Sequence, residues 1–578
     1  MANIKERIQR LVIQNLRLNL LAILIGVIGG FGALLFRYLI FFINDLVFFH
    51  RTSIHFIPPL EHQAGWTVFL IPAAGGLIVG IITHYFAPET KGHGVPEVME
   101  AMARRGGRIR PRVAFAKVIA SGVCIGTGGS AGREGPIVQI GSSAGSTVGQ
   151  LLKLPSSDIR ILVGCGATAG IAATFNAPLA GVLFAIELIL LELKTRSFVP
   201  LVISSTFATI ISRTFIGAEP MIKVPAYHFR SPYELILYLF LGLFAALIGY
   251  VEITSLYGTE DLFDRLKVHP VLKPAIGGLL LGVIGLWLPN VFGTGYSTVG
   301  AIVNEQLGQH GALLFGFLVL LMTAKIVALA LTLGSGGSGG VFAPSLFIGA
   351  ALGGAFGVLA DVIFPGIAAP YPAYALVGMA AVFSAASRAT LTSIIMLFEM
   401  TRNYNIILPL MFACVVADVT AWLLYPETIY TKKLARRGVR IAQDLEINVL
   451  KTRFVSDAMT RAVETIPMDM PLCKVQEKIL ETGHQGFPIV DENGRLVGII
   501  TGRDVMKAIK EDPYKPAIEA AHKDLTVAYP DETLNEVWER MGERGIGRLP
   551  VVSRNDPTRL VGFITKGDII RFARTLQR

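Results

Sequence analysis

The chain has 578 residues, of which 52% are hydrophobic and only 16% are charged. Soluble proteins carry about 25% charged residues, so this composition excludes an ordinary soluble protein and indicates one that crosses a membrane several times. The net charge of +10 is carried in part by Lys and Arg clusters at 104–112 and 432–437, which flank apolar stretches. Such placement is typical of membrane topology signals and argues against nucleic acid as a partner.

The first 19 residues are polar, basic and roughly amphipathic, without the apolar region and cleavage site of a signal peptide. We therefore predict a cytoplasmic N-terminal segment before the first membrane span. The four cysteines have neither metal nor redox spacing, and no nucleophile–base pair or P-loop lysine motif is present. The sequence thus predicts neither an enzyme nor a metal site.

Thirteen apolar stretches follow one another between residues 18 and 425, and we predict a membrane domain over 20–430. Some have the roughly 20 residues that a membrane-spanning helix needs, whereas others are short or interrupted by Gly or Pro. Short and broken helices are typical of transporters, in which helix ends point at a site near the middle of the membrane.

A glycine-rich segment lies deep in apolar sequence at residues 126–136. Its pattern returns 208 residues later, at 334–344, and one unbroken offset relates the positions around both segments. This repeat predicts two homologous membrane halves, over about 20–216 and 233–425. Antiparallel pairs of such halves are common among transporters.

Both segments end in Gly-x-x-x-Pro before an apolar helix, at 132–136 and 340–344, and a third copy lies at 92–96. A glycine turn at a helix start exposes backbone N–H groups that have no helical partner, and the helix dipole adds partial positive charge there. The three segments therefore predict an anion site that needs no charged side chain. Close packing of helices through glycine is the structural alternative.

Glu134 lies among these N–H groups, and a charged residue at membrane depth is a candidate for function. Its carboxylate can occupy the anion site and leave when protonated, which makes it a candidate gate and proton acceptor. A structural ion pair with Arg133 is the alternative, although adjacent helix residues point about 100° apart. Tyr430, at the end of the membrane part, either donates its hydroxyl to an anion or lies at the membrane interface.

Residues 431–452 form a basic connector, and a second repeat follows it. The segment 484–504 resembles 546–568, and each holds two short apolar runs that read as buried strands before a helix. Two such units predict a compact α/β tail on the cytoplasmic side, with one unit over 453–512 and the other over 520–578.

These motifs resemble the CLC family of chloride channels and chloride/proton antiporters, and the tail resembles a pair of CBS domains. The resemblance covers nearly the whole chain and includes the Phe-Asn-Ala-Pro-Leu-Ala-Gly motif at 175–181. It implies an all-α polytopic membrane domain with an inverted repeat and many tilted, broken helices, followed by the α/β CBS pair. It also implies a homodimer with one pore per subunit, embedded in the lipid bilayer of the inner or plasma membrane.

The resemblance implies an anion-binding set from the three glycine segments and the end of the membrane domain: His93, Arg133, Glu134, Gly340, Val341, Phe342 and Tyr430. Glu134 is then the external gating glutamate, and backbone N–H groups of Val341 and Phe342 hold the central anion with the Tyr430 hydroxyl. Many family members have serine at the position of His93. A histidine can donate an N–H there, carry a full charge at lower pH, or turn away into a helix cap, so chloride preference over other anions is open.

Many antiporters of this family carry a second glutamate directly after the position of Glu187, where it serves protons from the cytoplasm. This chain has Leu188 there, as the channels have an apolar residue, and leucine cannot carry a proton. We expect Glu187 and its counterpart Glu399 to hold structure instead. The sequence therefore favours a passive chloride channel gated by voltage or pH, and coupled chloride/proton exchange is the alternative.

In CBS domains, a Thr and an Asp at a fixed spacing bind the phosphate and ribose of an adenine nucleotide. Both copies of the tail repeat keep this spacing, with Thr501 and Asp504 in the first and Thr565 and Asp568 in the second. ATP or AMP is therefore a candidate ligand, and a helix cap without a ligand is the alternative. Chloride is the expected transported ion, and we expect no required cofactor.

Overall fold

The computed structural model describes residues 2–52, 65–224, 232–439, 450 and 453–576. The chain separates into two compact units, Met1–Ile441 and Ala442–Arg578. Residues 431–436 of the predicted connector form a helix that belongs to the first unit. Most of the rest of that connector lies outside the described residues.

The described part of the first unit is built of helices. They are α1 (Ala2–Phe49), α2 (Leu70–Ile81), α3 (Val95–Arg104), α4 (Arg112–Gly126), α5 (Glu134–Leu151), α6 (Ser156–Phe175), α7 (Pro178–Phe184), α8 (Thr195–Ile216), α9 (Glu234–Arg265), α10 (Lys273–Trp287), α11 (Tyr296–Val303), α12 (Gly311–Gly334), α13 (Phe342–Ile363), α14 (Tyr371–Ser387), α15 (Thr390–Thr401), α16 (Ile407–Leu424) and α17 (Thr431–Arg436). Short 3-10 or π turns lie at Gly65–Phe69, Ile82–Phe86, Pro88–Thr90, Ala185–Leu190, Pro270–Leu272, Pro289–Val291 and Tyr404–Ile406.

Eight helical segments of the described chain are long and apolar enough to cross a membrane, and several shorter apolar helices lie between them. The long helices pack small residues against their neighbours and leave large apolar side chains exposed, among them Leu35, Leu313 and Trp422. Exposed apolar surface on this scale is unfavourable in water, whereas hydrocarbon accommodates it. The first unit is therefore an integral membrane domain of the all-α class that the sequence predicted.

The two halves of the membrane domain repeat the same packing. Helix α5 packs on α6 in the first half, and α13 packs on α14 in the second. Gly141 of α5 and Gly349 of α13, which the 208-residue offset relates, each lie against a backbone carbonyl of the partner helix. A Cβ atom would come within 2.1 Å of the Gly166 oxygen at the first position and 2.3 Å of the Gly378 oxygen at the second. Close backbone approach therefore requires glycine in both halves.

The tail forms two α/β units, each around an antiparallel strand pair. The strands are β1 (Ile466–Pro467), β2 (Gly486–Val490), β3 (Leu496–Thr501), β4 (Arg548–Val552) and β5 (Leu560–Thr565), and the helices are α18 (Val455–Ala458), α19 (Leu472–Thr482), α20 (Gly502–Ala508), α21 (Ala517–Ala520), α22 (Leu534–Glu543) and α23 (Lys566–Leu576). Strand β2 pairs with β3 and β4 with β5, while β1 adds a parallel edge to β2. This confirms the predicted α/β repeat of the tail.

Candidate functional site

The three predicted glycine segments meet through their backbones. Gly132 donates to the Gly340 oxygen at 2.7 Å, and Gly340 donates to the Gly132 oxygen at 2.6 Å. Gly92 donates to the Gly337 oxygen at 2.9 Å and accepts a hydrogen bond from the Gly339 N–H at 3.3 Å. Two segments of the first half and one of the second are thus joined, and the candidate site lies at the contact between the halves.

The segments approach one another so closely that side chains are excluded. A Cβ atom on Gly135 would lie 2.0 Å from the backbone oxygen of His93 and 3.1 Å from the Cα atom of Gly340. Gly94 has a φ of 86° and would bring a Cβ atom to 2.8 Å from the Gly135 oxygen. Backbone atoms fill the junction, and the N–H groups among them are the donors that an anion there could use.

Three helices begin at this junction, α3 at Val95, α5 at Glu134 and α13 at Phe342. Among the described residues, the backbone N–H groups of Val341 and Phe342 have no hydrogen-bond acceptor. Unpaired N–H groups at a helix start attract a negative charge, and the helix dipole adds to the attraction. Val341 and Phe342 therefore offer N–H groups at the start of α13, and their role as anion ligands stays a prediction.

The Glu134 carboxylate is itself at this junction and is 1% exposed. Its Oε1 atom accepts a hydrogen bond of 2.7 Å from the Tyr296 hydroxyl. Its Oε2 atom lies 2.1 Å from the position that a Cβ atom on Gly132 would take, and the Ala343 nitrogen in the first turn of α13 lies 3.1 Å from that position. In the part of the chain that the structure describes, Arg133 bonds to the Thr174 oxygen and lies over the Tyr296 ring, and it forms no ion pair with Glu134.

Arg133 points instead toward a cavity of about 400 Å³. Its guanidinium donates to the Thr174 oxygen at 3.4 Å and lies over the Tyr296 ring, with Cζ 5.7 Å from the ring centre. Arg37 of α1 lines the same cavity. The positive charge of Arg133 therefore lies at the cavity beside Glu134 and not among the glycine backbones of the junction.

Tyr430 is buried, and within the described part of the chain no protein group bonds to its hydroxyl. Its position is fixed by its neighbour Ile429, whose oxygen accepts a 2.7 Å hydrogen bond from Tyr257 and whose N–H bonds to the Ala386 oxygen at 2.8 Å. A buried hydroxyl held in this way, without a described protein partner, suits the donor to an anion that the sequence predicted.

His93 lies between these tyrosines. Its ring centre is 6.3 Å from that of Tyr430, and its Nε2 atom is 3.5 Å from the Tyr257 hydroxyl. No side chain caps α3, whose N-cap residue is Gly94, so His93 does not turn away into a helix cap. The imidazole instead faces the side of the junction on which Tyr430 lies.

Glu187 and Glu399 bond reciprocally to the other half. Glu187 accepts hydrogen bonds from the N–H groups of Leu391 and Thr392, at 3.0 and 2.8 Å, at the start of α15. Glu399 accepts the N–H groups at the start of α7, from Leu179 and Ala180, at 3.2 and 2.8 Å. These exchanged caps are what a two-fold relation between the halves requires, and they account for both carboxylates structurally.

Leu188, the residue at the inner proton position, is fully buried in the π turn Ala185–Leu190. Its neighbour Glu187 is occupied by its capping bonds. The described structure therefore brings no free carboxylate to this position.

Sequence reasoning missed Tyr296 and two buried lysines, Lys117 and Lys325. Each lysine donates to two carbonyl oxygens of the loop before a short helix, Lys117 before α3 and Lys325 before α11. The acceptors, at 2.8–3.0 Å, are Thr90, Gly92, Val291 and Gly293. The sequence could have revealed the two lysines, because Lys117 and Lys325 are separated by the same 208 residues as the glycine segments.

In the tail, the predicted nucleotide residues bond to each other. The Thr501 hydroxyl donates to Asp504 at 2.6 Å, and the Thr565 hydroxyl donates to Asp568 at 2.6 Å. Each Asp also accepts the backbone N–H of its Thr at 3.0 Å, which caps the following helix. His522 lies 3.3 Å from Asp504. Capping geometry is therefore formed in both copies, and a nucleotide would have to replace the Thr–Asp hydrogen bonds.

Comparison with known proteins gives the family. The protein-family model described as "Voltage gated chloride channel" matches residues 75–421, and the family model of the CBS domain matches 455–511 and 517–575. A putative chloride channel protein ClcB-like of Ralstonia nicotianae is 38% identical over 376 residues, 64% of this chain and 86% of that protein. The H(+)/Cl(-) exchange transporter ClcA of Vibrio parahaemolyticus is 33% identical over 429 residues, 72% of this chain and 89% of the relative.

Among solved structures, a slow cyanobacterial Cl-/H+ antiporter is similar with a TM-score of 0.65 and 30% identity, covering 73% of this chain and 98% of the antiporter. The matches span the glycine junction, and the CBS matches account for the tail. The chain therefore belongs to the CLC family of chloride-transporting membrane proteins and carries a pair of CBS domains behind its membrane domain.

Proposed function

We propose that this protein exchanges chloride for protons across the membrane, with Glu134 as both gate and proton acceptor. The observation that carries the proposal is the position of the Glu134 carboxylate, which lies among the helix starts of the glycine junction. Two of the similar proteins, ClcA and the cyanobacterial protein, are named as chloride/proton exchangers. These relatives favour exchange over the passive channel that Leu188 suggested.

The central anion lies, in this proposal, between the unpaired N–H groups of Val341 and Phe342 and the Tyr430 hydroxyl. His93 stands beside Tyr430 in place of the serine of many family members. A neutral imidazole N–H donates to an anion much as a hydroxyl does, but the ring is larger and rigid. His93 is therefore the residue on which selectivity among anions would depend.

Exchange follows from competition at one place. While it is ionised, the Glu134 carboxylate is attracted by the same helix starts that attract chloride, so it blocks the anion path. Protonation removes its negative charge, the attraction weakens, and chloride can take its place. Because one side chain binds the proton and competes with the anion, the two movements are linked in opposite directions.

The inner proton route differs, in this proposal, from the one that a second glutamate supplies. Leu188 carries no proton, and the helix-capping bonds of Glu187 and Glu399 occupy both carboxylates. Protons from the cytoplasmic side would therefore reach Glu134 without a carboxylate at position 188. The passive channel remains the second candidate because of this one residue.

Purified protein in proteoliposomes separates the two candidates. With a chloride gradient and no proton gradient at the start, we expect protons to move in the direction opposite to chloride and so to create a proton gradient. A pH electrode and a chloride electrode record both fluxes in the same sample. If chloride moves and the pH outside does not change, the exchange proposal fails and the channel is supported.

We further propose a homodimer with the tail on the cytoplasmic side of the inner or plasma membrane, and nucleotide binding by the CBS pair. The helix starts after β3 and β5 are suitable places for a phosphate, and the carboxylates of Asp504 and Asp568 suit ribose hydroxyls. Binding would break the Thr–Asp hydrogen bonds that the structure shows.

Replacing both Asp504 and Asp568 by alanine should weaken ATP or AMP binding to the full-length protein in detergent at least tenfold, as titration calorimetry measures. The magnitude follows from the loss of charge-assisted hydrogen bonds, each of about 1.5–3 kcal/mol. Asp556→Ala, in an exposed loop of the same tail, serves as the matched control. No heat of binding with the unchanged protein would remove the nucleotide proposal.

A further inference from the structure

The two loops held by buried lysines have the same construction. In the first, the Lys117 amino group bonds to the carbonyls of residues 90 and 92, and in the second the Lys325 amino group bonds to those of 291 and 293. Both loops then reach a glycine of positive φ, Gly94 at 86° and Gly295 at 82°. A short helix follows at once, α3 in the first half and α11 in the second.

The loop before α11 is therefore the second half's copy of the loop that carries His93. The glycine segments correspond at an offset of 208 residues, whereas these loops correspond at 201, as Gly94 and Gly295 show. Connections of different length in the two halves account for the change of offset. In the first half, His93 lies just before the glycine, on the Tyr430 side of the junction. In the second half, Tyr296 follows the glycine as the first residue of α11, at the position that Val95 has in α3.

Tyr296 contacts both residues of the Arg-Glu pair. Its hydroxyl donates to Glu134 Oε1 at 2.7 Å, and its ring lies under the Arg133 guanidinium. It also lines the 400 Å³ cavity beside Arg133, so the contact lies where this cavity meets the junction. The loop has little freedom to shift, because a Cβ atom on Gly295 would already be 2.5 Å from the Phe347 ring.

We propose that Tyr296 is a latch for the gate. Its hydroxyl positions the Glu134 carboxylate among the helix starts, and opening of the anion path requires this hydrogen bond to break. The bond favours the ionised carboxylate, since a hydroxyl donates more strongly to a charged acceptor than to a neutral acid. The proposal rests on Glu134 as the gate and holds for an exchanger and for a channel alike.

Other groups face Glu134 as well. Arg133 lies directly before α5, Tyr430 approaches from the end of the membrane domain, and the His93 loop touches the adjacent Gly135. The Tyr296 hydroxyl is the side-chain group that bonds to the carboxylate directly among the described residues. Tyr296 is thus a positioning residue, and its removal leaves the charges around Glu134 in place.

Tyr296→Phe tests the latch because it removes one oxygen and keeps the ring. We expect chloride flux at neutral pH to rise severalfold, and the pH of half-maximal flux to move upward by about one unit. That shift corresponds to the roughly tenfold change that loss of one hydrogen bond to a charged group produces. Chloride efflux from proteoliposomes between pH 4 and pH 8 measures both. Tyr404→Phe, which removes an exposed hydroxyl, should leave flux and pH profile unchanged.

The same substitution in a Glu134→Ala background decides how Tyr296 acts. If Tyr296 works through the carboxylate, Tyr296→Phe should change neither the rate nor the pH profile once Glu134 is absent. An unchanged pH profile for Tyr296→Phe alone, or an equal effect with and without Glu134, overturns the latch. The wild-type coupling assay is independent of this result, so a channel could keep the latch and an exchanger could lack it.

Discussion

Replacing Glu134 by glutamine is expected to stop proton movement while chloride continues to flow. Glutamine has nearly the shape of the protonated acid, but it can neither release nor bind the proton. Its amide also carries no negative charge to hold it among the helix starts at the glycine junction, so the anion path stays open. In the chloride-gradient assay, we expect proton flux to fall to the level of protein-free liposomes. Chloride flux should lose its dependence on pH between 4 and 8.

A matched control lies in the cavity that Arg133 and Tyr296 line. Glu219 lines that cavity as an exposed carboxylate that pairs with Lys223, so Glu219→Gln changes charge near the path but not at the junction. It should keep proton coupling and most of its pH dependence. Chloride flux through Glu134→Gln that remains as pH-sensitive as in the unchanged protein would show that another group is the gate.

Gly135→Ala is expected to abolish chloride flux although it adds only one methyl group, directly before Pro136. The new Cβ atom would lie 2.0 Å from the His93 oxygen and 3.1 Å from the Gly340 Cα atom. Both neighbours are backbone atoms that cannot rotate away, so the glycine segments must separate. Overpacking of this kind costs about 1–3 kcal/mol or more and displaces the N–H groups that bind the anion. We expect at least a hundredfold loss of flux and a lower melting temperature in detergent.

Gly258→Ala provides the comparison, because a Cβ atom at this position of α9 meets no atom within 4 Å. Alanine is favoured over glycine in a helix by about 1 kcal/mol, so this variant should keep its flux and gain slightly in stability. Normal flux in Gly135→Ala would mean that the glycine segments can move apart without loss of function. The backbone N–H groups would then not be held in place as the anion site requires.

The repeat offset made the central part of the fold predictable. Glycine packing in membranes leaves a strict pattern in sequence, because backbones can approach closely only where no side chain intervenes. Residues 126–136 and 334–344 could therefore be recognised as a pair, and the carboxylate of Glu134 could be placed between N–H groups. Reciprocal capping by Glu187 and Glu399 was also within reach, since their helices correspond in the two halves.

Tyr296 could not be predicted in the same way. The loop before Tyr296 corresponds to the His93 loop at an offset of 201 residues, whereas the glycine segments correspond at 208. The two loops share their glycines, but different residues contact the site. A contact between residues 162 positions apart follows from packing of the halves, which local pattern does not contain. Leu188 favoured a passive channel, whereas relatives named as exchangers favour exchange, because one apolar side chain removes a single proton carrier.

The basic cluster after Tyr430 shows how a correct general rule can hide a specific contact. Clusters of Lys and Arg beside apolar spans indicate topology, and the sequence offered no other role for Lys433. In the structure, Lys433 is buried in α17 and pairs with Glu97 of α3 at 2.7 Å. A buried charge needs a partner of opposite charge. The pair therefore ties α17 to α3, the helix that follows the His93 loop in the chain. The separation of 336 residues placed this pair beyond any local pattern.

The exchanged glutamate caps also bear on the order in which the protein is made. The start of α7 takes its cap from Glu399, about 220 residues later in the chain. During synthesis, the N–H groups at the start of α7 therefore lack their Glu399 cap until the second half has been made. The reverse cap is ready in advance, because Glu187 has been made before α15 exists. Both caps can therefore be complete only once the two halves are in contact.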